Sequence, residues 1–404
     1  MRVLCTVSGS LGHVHNIVPL TRALSEAGHQ VLFLTTDELA ARLAREPGQV
    51  MAALANTRQR IEPLLTFMRT GQGMTVDEAQ RFKDQAYALA SVSTGPHLSA
   101  AVRGVLPTMK EFAPDVVLRD GAELAGCLIA EQLGVPHVSA PSGAGNILDP
   151  YLVSEPLDRR RAELGLPELR DPMSIHRHGR LDCVPARYSF TAHEIPSALV
   201  YQQAEPPADQ RVLPADIAEL PGDRPLVLAS VGSELPKAGA TIGGGLSLGV
   251  ADPADTLRAL VDAVSTLDCS AVVSTGRLYV DSLQSTESVR VADWVPQPLV
   301  LRCADLFITH GGYNGIREAL LAGVPMVVLP QFGDQDHNAD RVVEFGLGVR
   351  LPVATTDPEL IAAACRAVLA EPGYTARARH ARRRMLALPG IDTAVAWLAA
   401  LATR

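Results

Sequence analysis

Leu306-Phe307-Ile308-Thr309-His310-Gly311-Gly312-Tyr313-Asn314-Gly315-Ile316-Arg317-Glu318-Ala319 runs from an apolar segment through a glycine-rich turn into a helical pattern. Residues 306–309 lack polar alternation and read as a strand buried on both faces, as in a parallel sheet. Small residues after such a strand expose backbone N–H groups at the positive end of a helix dipole, a setting that suits a phosphate. His310 adds a donor there. The same residues also suit a turn used only for tight strand-to-helix packing, so the surrounding sequence has to decide.

Around this stretch, residues 225–231, 271–274, 289–291 and 325–329 read as further strands, with helices near 255–266, 298–303, 315–322 and 337–345. The alternation describes a doubly wound domain. An equivalent pattern occupies the first half: strands at 2–8, 30–36, 115–120 and 136–140, helices at about 16–28 and at 123–133, the second closed by Gly134. Between them, 49–95 is polar and irregular apart from a predicted helix over 75–91, with 71–74 as loop; it is a candidate wall of a substrate pocket. Residues 201–224 are rich in Pro, Ala, Asp and Gln and read as a linker.

The expected organisation is a first domain over 1–204, a linker over 205–224, a second domain over 225–385 and a terminal helical segment over 386–404. The fold class is α/β, with two doubly wound Rossmann-like domains facing across a cleft. Ligands of such sheets bind at the carboxyl ends of the strands, which would set residues 9–14 opposite 311–314.

Composition agrees. The 404 residues are 47% apolar, which excludes disorder, collagen and small disulfide scaffolds, and the length exceeds what one core usually supports. With 36 basic against 44 acidic residues and a net charge of −8, no basic face is expected for nucleic acid, and beyond Arg159–Arg161 no clustered Lys or Arg stands out. Cys5, Cys127, Cys183, Cys269, Cys303 and Cys365 are scattered without a C-x-x-C pair and read as reduced core thiols. The amino terminus enters a strand without a charged leader or a long apolar span, so a cytoplasmic chain with no membrane partner is expected.

Trp294-Val295-Pro296-Gln297 upstream, and Ala322-Gly323-Val324-Pro325 and Pro330-Gln331-Phe332-Gly333-Asp334-Gln335 downstream, complete a longer pattern. Residues 293–348 closely resemble the nucleotide-sugar signature of family-one glycosyltransferases of the GT-B fold, particularly the actinomycete enzymes that decorate polyketide and other antibiotics. Only Lys83, Lys110 and Lys237 are lysines, a composition in keeping with such a source. The resemblance implies that Trp294 stacks on the nucleobase, with Val295 and Gln297 at the base edge. Glu318 would accept from ribose hydroxyls, and Asp334 and Gln335 would hold sugar hydroxyls. Gly232, Ser233, His310, Gly311, Gly312, Asn314 and Gly315 would surround the diphosphate, and Gly12 is placed with the donor-binding residues.

For the chemistry, the resemblance puts a catalytic histidine at His13, in the loop after the first strand, and its partner carboxylate at Asp120. Transfer to an alcohol needs a base, and imidazole titrates in the right range. His15 is a neighbouring alternative, Asp120 has the competing role of capping the helix near Glu123, and His176 and His178 read as a solvated loop. The implied donor is a thymidine diphosphate sugar, less readily a uridine diphosphate sugar. The acceptor is a hydroxyl of a polyketide-type aglycone, and no cofactor is implied. Asp334-Gln335-Asp336 has a D-x-D spacing, but a diphosphate held by a helix amino terminus needs no metal to leave, so no metal is assigned.

Two positions depart from the pattern. Gly315 stands where relatives carry Ser or Thr, and Arg317 where they carry an apolar residue; Arg317 is expected either to point to solvent or to alter phosphate binding. Residues 236–251, rich in glycine, would close over the donor. The terminal helices near 374–388 and 392–401, with Trp397, would pack back on the first domain, and the oligomeric state stays open, a homodimer included. A nicotinamide-dependent oxidoreductase, from Gly9-x-x-Gly12 with Asp37, and a noncatalytic sugar-nucleotide-binding helper stand as alternatives.

Overall fold

The computed structural model describes residues 1–195, 197–203, 212–232, 234–235 and 251–403. Ser233 and nearly all of the glycine-rich stretch 236–251 lie outside the described residues, as does much of the expected linker. The chain divides into two units: Met1–Ala204 with Pro389–Arg404, and Glu205–Leu388.

The first unit is built on β1 (Arg2–Thr6), β2 (Gln30–Thr35), β3 (Gln49–Ala52), β4 (Val116–Asp120) and β5 (His137–Ala140), all parallel in the order β3-β2-β1-β4-β5. Cys5 stands level with Phe33 of β2 and Leu118 of β4. Alternate residues feed two cores. Val3, Cys5, Phe33, Val116 and Leu118 pack on one face with Ile17, Leu20 and Leu24 of the helix Leu11–Glu26. Leu4, Leu32, Leu34 and Val117 face the other way, with Val102 and Met109 of the helix His97–Phe112 and Leu128 of the helix Ala125–Leu133. Burial on both faces explains the near-continuous apolar strands. A short parallel pair, β6 (Leu181–Asp182) and β7 (Leu199–Val200), lies beyond this sheet.

The terminal helix Ile391–Leu401 contributes Ala394, Val395 and Leu398 to the core of this same unit, with Trp397 packed against it. The second unit carries β8 (Leu226–Ser230), β9 (Ser270–Ser274), β10 (Val289–Ala292), β11 (Leu306–Thr309), β12 (Met326–Val328) and β13 (Gly348–Arg350), parallel in the order β10-β9-β8-β11-β12-β13.

Several sequence expectations need correction. The first helix begins at Leu11 rather than near Asn16, because Ser10 takes an extended conformation and its hydroxyl caps Gly12 N at 3.2 Å. His13 therefore lies in the first helical turn and not in a loop. The stretch 49–95 holds the edge strand β3 and a helix Thr57–Thr70, neither with a fully buried residue to give an apolar period. The helix expected over 75–91 is two, Val76–Arg81 and Gln85–Thr94, the second capped by Asp84 through Tyr87 N at 2.9 Å. β13 carries little strand signal in the sequence because it opens on Gly348, where a Cβ would stand 1.9 Å from the Met326 carbonyl oxygen of the neighbouring strand.

The basic residues are also less dispersed than expected: the helix Pro372–Leu386 exposes Arg377, Arg379, Arg382, Arg383 and Arg384. Five of the six cysteines are buried and Cys303 is exposed. Among the described residues no single helix is long and apolar enough to cross a membrane.

Candidate active site

In the first sheet β1 pairs with both β2 and β4, so the strand order reverses between β1 and β4. Open α/β sheets bind ligands at the carboxyl edge beside such a reversal. His13 follows β1 at this edge, and Asp120 ends β4. Asp120 is 1% exposed and the His13 side chain 19%. His13 Nδ1–H donates to Asp120 Oδ2 at 2.7 Å. The other carboxylate oxygen accepts from Ala122 N at 3.0 Å and from the Ser142 hydroxyl at 3.4 Å. With Nδ1–H committed to the carboxylate, Nε2 carries the lone pair, so the pair can accept a proton and stabilise the resulting imidazolium.

The backbone permits the approach. Gly9 has φ +92°, and a Cβ there would lie 3.2 Å from the His13 ring. His15 is exposed. Asp120 does not cap the following helix: that helix begins at Ala125, and Glu123 accepts from Ala125 N at 2.7 Å and Gly126 N at 3.0 Å. His176 and His178 are not in a solvated loop either. His176 Nδ1 meets the Ser139 hydroxyl at 3.3 Å, and His178 Nδ1 accepts from His137 N at 3.3 Å, so both cover β5.

The second sheet repeats the arrangement: β8 pairs with both β9 and β11, and Gly232 and His310 follow the two strands at the reversal. The His310 ring fills the space beside two glycines. A Cβ on Gly232 would lie 2.5 Å from His310 Cε1, and one on Gly312 would lie 2.4 Å from Nε2. Burial pushes the His310 pKa down to about 4, opposed by a backbone hydrogen bond with Ser230, so the ring is neutral at pH 7. Gly312 is the N-cap of the helix Tyr313–Ala322 and offers no side-chain cap.

Around this turn, Asn338 Nδ2 donates to the Gly311 carbonyl at 2.9 Å and to Asp334 Oδ2 at 2.7 Å, joining two of the expected donor segments. Gln335 is buried, and its Oε1 accepts from Gln331 N at 2.8 Å and Phe332 N at 3.2 Å, which commits its carbonyl to bracing its own loop. Gln297 Nε2 donates to Glu318 Oε2 at 2.7 Å, bringing together the residues expected at base edge and ribose. Burial raises the Glu318 pKa, while Arg317 and the Gln297 hydrogen bond oppose the rise. Trp294 is 52% exposed beside the buried Val295.

The two unusual positions are settled in part. A Cβ on Gly315 would make ordinary contacts with Thr309, Phe307 and Gln297, all between 3.4 and 3.6 Å. Arg317 does not lie free in solvent: it is half-buried, and its Nε is buried with no hydrogen-bond partner among the described residues. Asp336, the last residue of the D-x-D spacing, pairs with Arg350 at 2.6 Å.

Some site residues gave no sequence signal. Arg60, in the helix read as irregular, lies within the fields of Glu123 and Asp120, whose charges raise its pKa while burial lowers it further than they compensate. Arg119, Ser142 and Asn338 act through hydrogen bonds to backbone or to neighbouring side chains, which no spacing reveals.

The chain is similar to known proteins in three respects. Residues 258–401 match the family model "Erythromycin biosynthesis protein CIII-like, C-terminal domain". The chain is 26% identical over 410 residues to NDP-glycosyltransferase YjiC of Bacillus subtilis strain 168, covering 95% of this chain and 93% of the relative. It is 28% identical over 400 residues to L-demethylnoviosyl transferase of Streptomyces niveus, covering 94% and 93%. Among solved structures, spinosyn rhamnosyltransferase SpnG superposes with a TM-score of 0.73 at 25% identity, over 98% of this chain and 100% of that one. SpnG has also been solved with thymidine diphosphate and with the spinosyn aglycone.

Proposed function

The chain belongs to the glycosyltransferases of the GT-B fold, and on that premise we propose that it is an inverting, metal-independent enzyme of antibiotic biosynthesis. It moves a deoxysugar from a thymidine diphosphate donor to a hydroxyl of a polyketide-type aglycone. The observation that carries the reading is the 2.7 Å bond from His13 Nδ1 to the buried Asp120 carboxylate, which a noncatalytic helper has no need to keep. The thymidine nucleotide draws support from SpnG solved with thymidine diphosphate, and a small-molecule aglycone from SpnG solved with the spinosyn aglycone.

In the proposed reaction the first unit supplies the base and the second holds the nucleotide. His13 Nε2 takes the proton of the acceptor hydroxyl, the acceptor oxygen bonds to the anomeric carbon, and the bond from that carbon to the diphosphate oxygen breaks with its electron pair. Asp120 stabilises the imidazolium and keeps the productive tautomer. Attack opposite the leaving group inverts the anomeric centre. The growing charge on the diphosphate is met by backbone N–H groups at the start of the helix Tyr313–Ala322 and by neutral His310, with no residue called on to hold a metal. Trp294 offers a flat face to the base, Glu318 and Gln297 face the ribose and base edge, and Asp334 and Gln335 the sugar.

Thermal unfolding with thymidine diphosphate, uridine diphosphate, NAD⁺ and NADP⁺ tests the donor, since a ligand bound only by the native state raises the melting temperature. A selective rise with thymidine diphosphate is expected. A rise with uridine diphosphate alone would change the donor, and a rise with a nicotinamide dinucleotide alone would overturn the proposed donor site.

A further inference from the structure

Arg119 is 0% exposed, yet no acidic side chain pairs with it among the described residues. A buried guanidinium without a carboxylate is costly, and an apolar residue would serve the core at this position better. Its hydrogen bonds go instead to the main chain. Nη1 donates to the carbonyl oxygens of Asp120, at 3.2 Å, and Gly121, at 2.7 Å, and Nη2 donates to that of Ile175. On β4, Arg119 shares a face with Val117 while Asp120 projects to the opposite face with Leu118, so the guanidinium grips from beneath the sheet the turn that carries the carboxylate above it.

The turn is fixed from other directions too. Glu123 N donates to the Asp120 carbonyl at 3.1 Å, and Ala122 N to the Asp120 carboxylate at 3.0 Å. A Cβ on Gly121 would lie 2.7 Å from the Cα of Gly145, so the backbone of the turn is packed directly on the helix Gly143–Ile147. Two carbonyls accepting from the one Nη1, while Nη2 ties the planar guanidinium to the Ile175 carbonyl, define the orientation of both peptide planes after Asp120, and through them the direction of its side chain.

We propose that Arg119 is a positioning residue for the His13–Asp120 pair: its guanidinium, bonded to the carbonyls of Asp120 and Gly121, aims the carboxylate at His13 Nδ1. The proposal rests on His13 acting as the base. It accounts for a charged side chain deep in a core where charge is otherwise a liability.

The test is Arg119→Lys in the full chain, which keeps the charge but loses the fork. We expect kcat to fall about 10- to 100-fold, as for a small misplacement of a catalytic group, with KM for donor and acceptor within about twofold. The acid limb of kcat against pH should move to lower pH, since a loosened carboxylate stabilises the His13 imidazolium less. In an Asp120→Asn background the same substitution should cost little more, because the group being aimed is gone. A structural role alone would leave the acid limb in place and the two losses multiplicative. Arg119→Gln, which removes the buried charge and keeps one donor, takes over if the lysine variant does not fold. His13→Ala separates the layers of the claim. Wild-type kcat in His13→Ala overturns the base itself. An inactive His13→Ala beside a fully active Arg119→Lys, or beside independent losses in the double variant, overturns positioning by Arg119 alone.

Discussion

His13 Nδ1 and Asp120 Oδ2 stand 2.7 Å apart although 107 residues separate them in sequence. The pairing arises because β1 and β4 are neighbours in the sheet, Thr6 standing level with Arg119. Asp120→Asn keeps the shape but can present an amide N–H to Nδ1 and favour the tautomer that places the proton on Nε2. Turnover should fall by about 10² to 10⁴, the range ascribed to a positioned general base. Affinity for thymidine diphosphate, measured by calorimetry, should be unchanged. A loss of nucleotide binding equal to the loss of turnover would argue against the assigned division of labour.

Glu318 is the acidic residue expected at the ribose, already hydrogen-bonded by Gln297 at 2.7 Å. Replacing it with Ala removes a charge-assisted acceptor worth about 1.5–3 kcal/mol, so thymidine diphosphate should bind about 10- to 100-fold more weakly. Titration calorimetry checks the value, and an unchanged Kd would remove Glu318 from the nucleotide site.

Acid sensitivity should have a histidine component. Burial pushes His97 and His176 down to about 3, and His137 well below its ordinary value, with Arg119 adding to the effect on both His137 and His176. An unfolded chain protonates these rings near 6.5, whereas the folded chain keeps His97 and His176 neutral until about 3 and His137 until well below its ordinary value. Between those limits the unfolded state binds more protons, so stability is complete above pH 6.5 and declines as pH falls through the window. Melting temperature should already drop between pH 7 and 5, before most carboxylates titrate, and the drop should shrink in His97→Gln. A flat profile over that interval would show that these rings are not held neutral.

Much of the architecture was legible because strands buried on both faces leave near-continuous apolar runs, as in 226–230 and 306–309, and because glycines punctuate their junctions with helices. β3 and β13 were not, one being an edge strand with exposed ends and the other opening on Gly348, which the carbonyl of Met326 demands. The sequence singled out His13 and Asp120, but not the local setting of His13: a single Ser10 cap moves the start of the helix past it. Gln297 and Glu318 were singled out separately, and only the fold shows them touching. Arg119 and Asn338 left no trace in the sequence, since their partners are carbonyls or a side chain that tertiary structure alone brings near.

The most direct test of the whole account is the single-turnover rate of sugar transfer from a thymidine diphosphate deoxysugar to a polyketide aglycone, in the native chain and in His13→Gln, with nucleotide affinity measured on both. The account predicts a rate about 10² to 10⁴ lower in the variant with thymidine diphosphate affinity preserved. Equal rates in the two proteins would contradict it, because the 2.7 Å pair would then have no part in moving the acceptor proton.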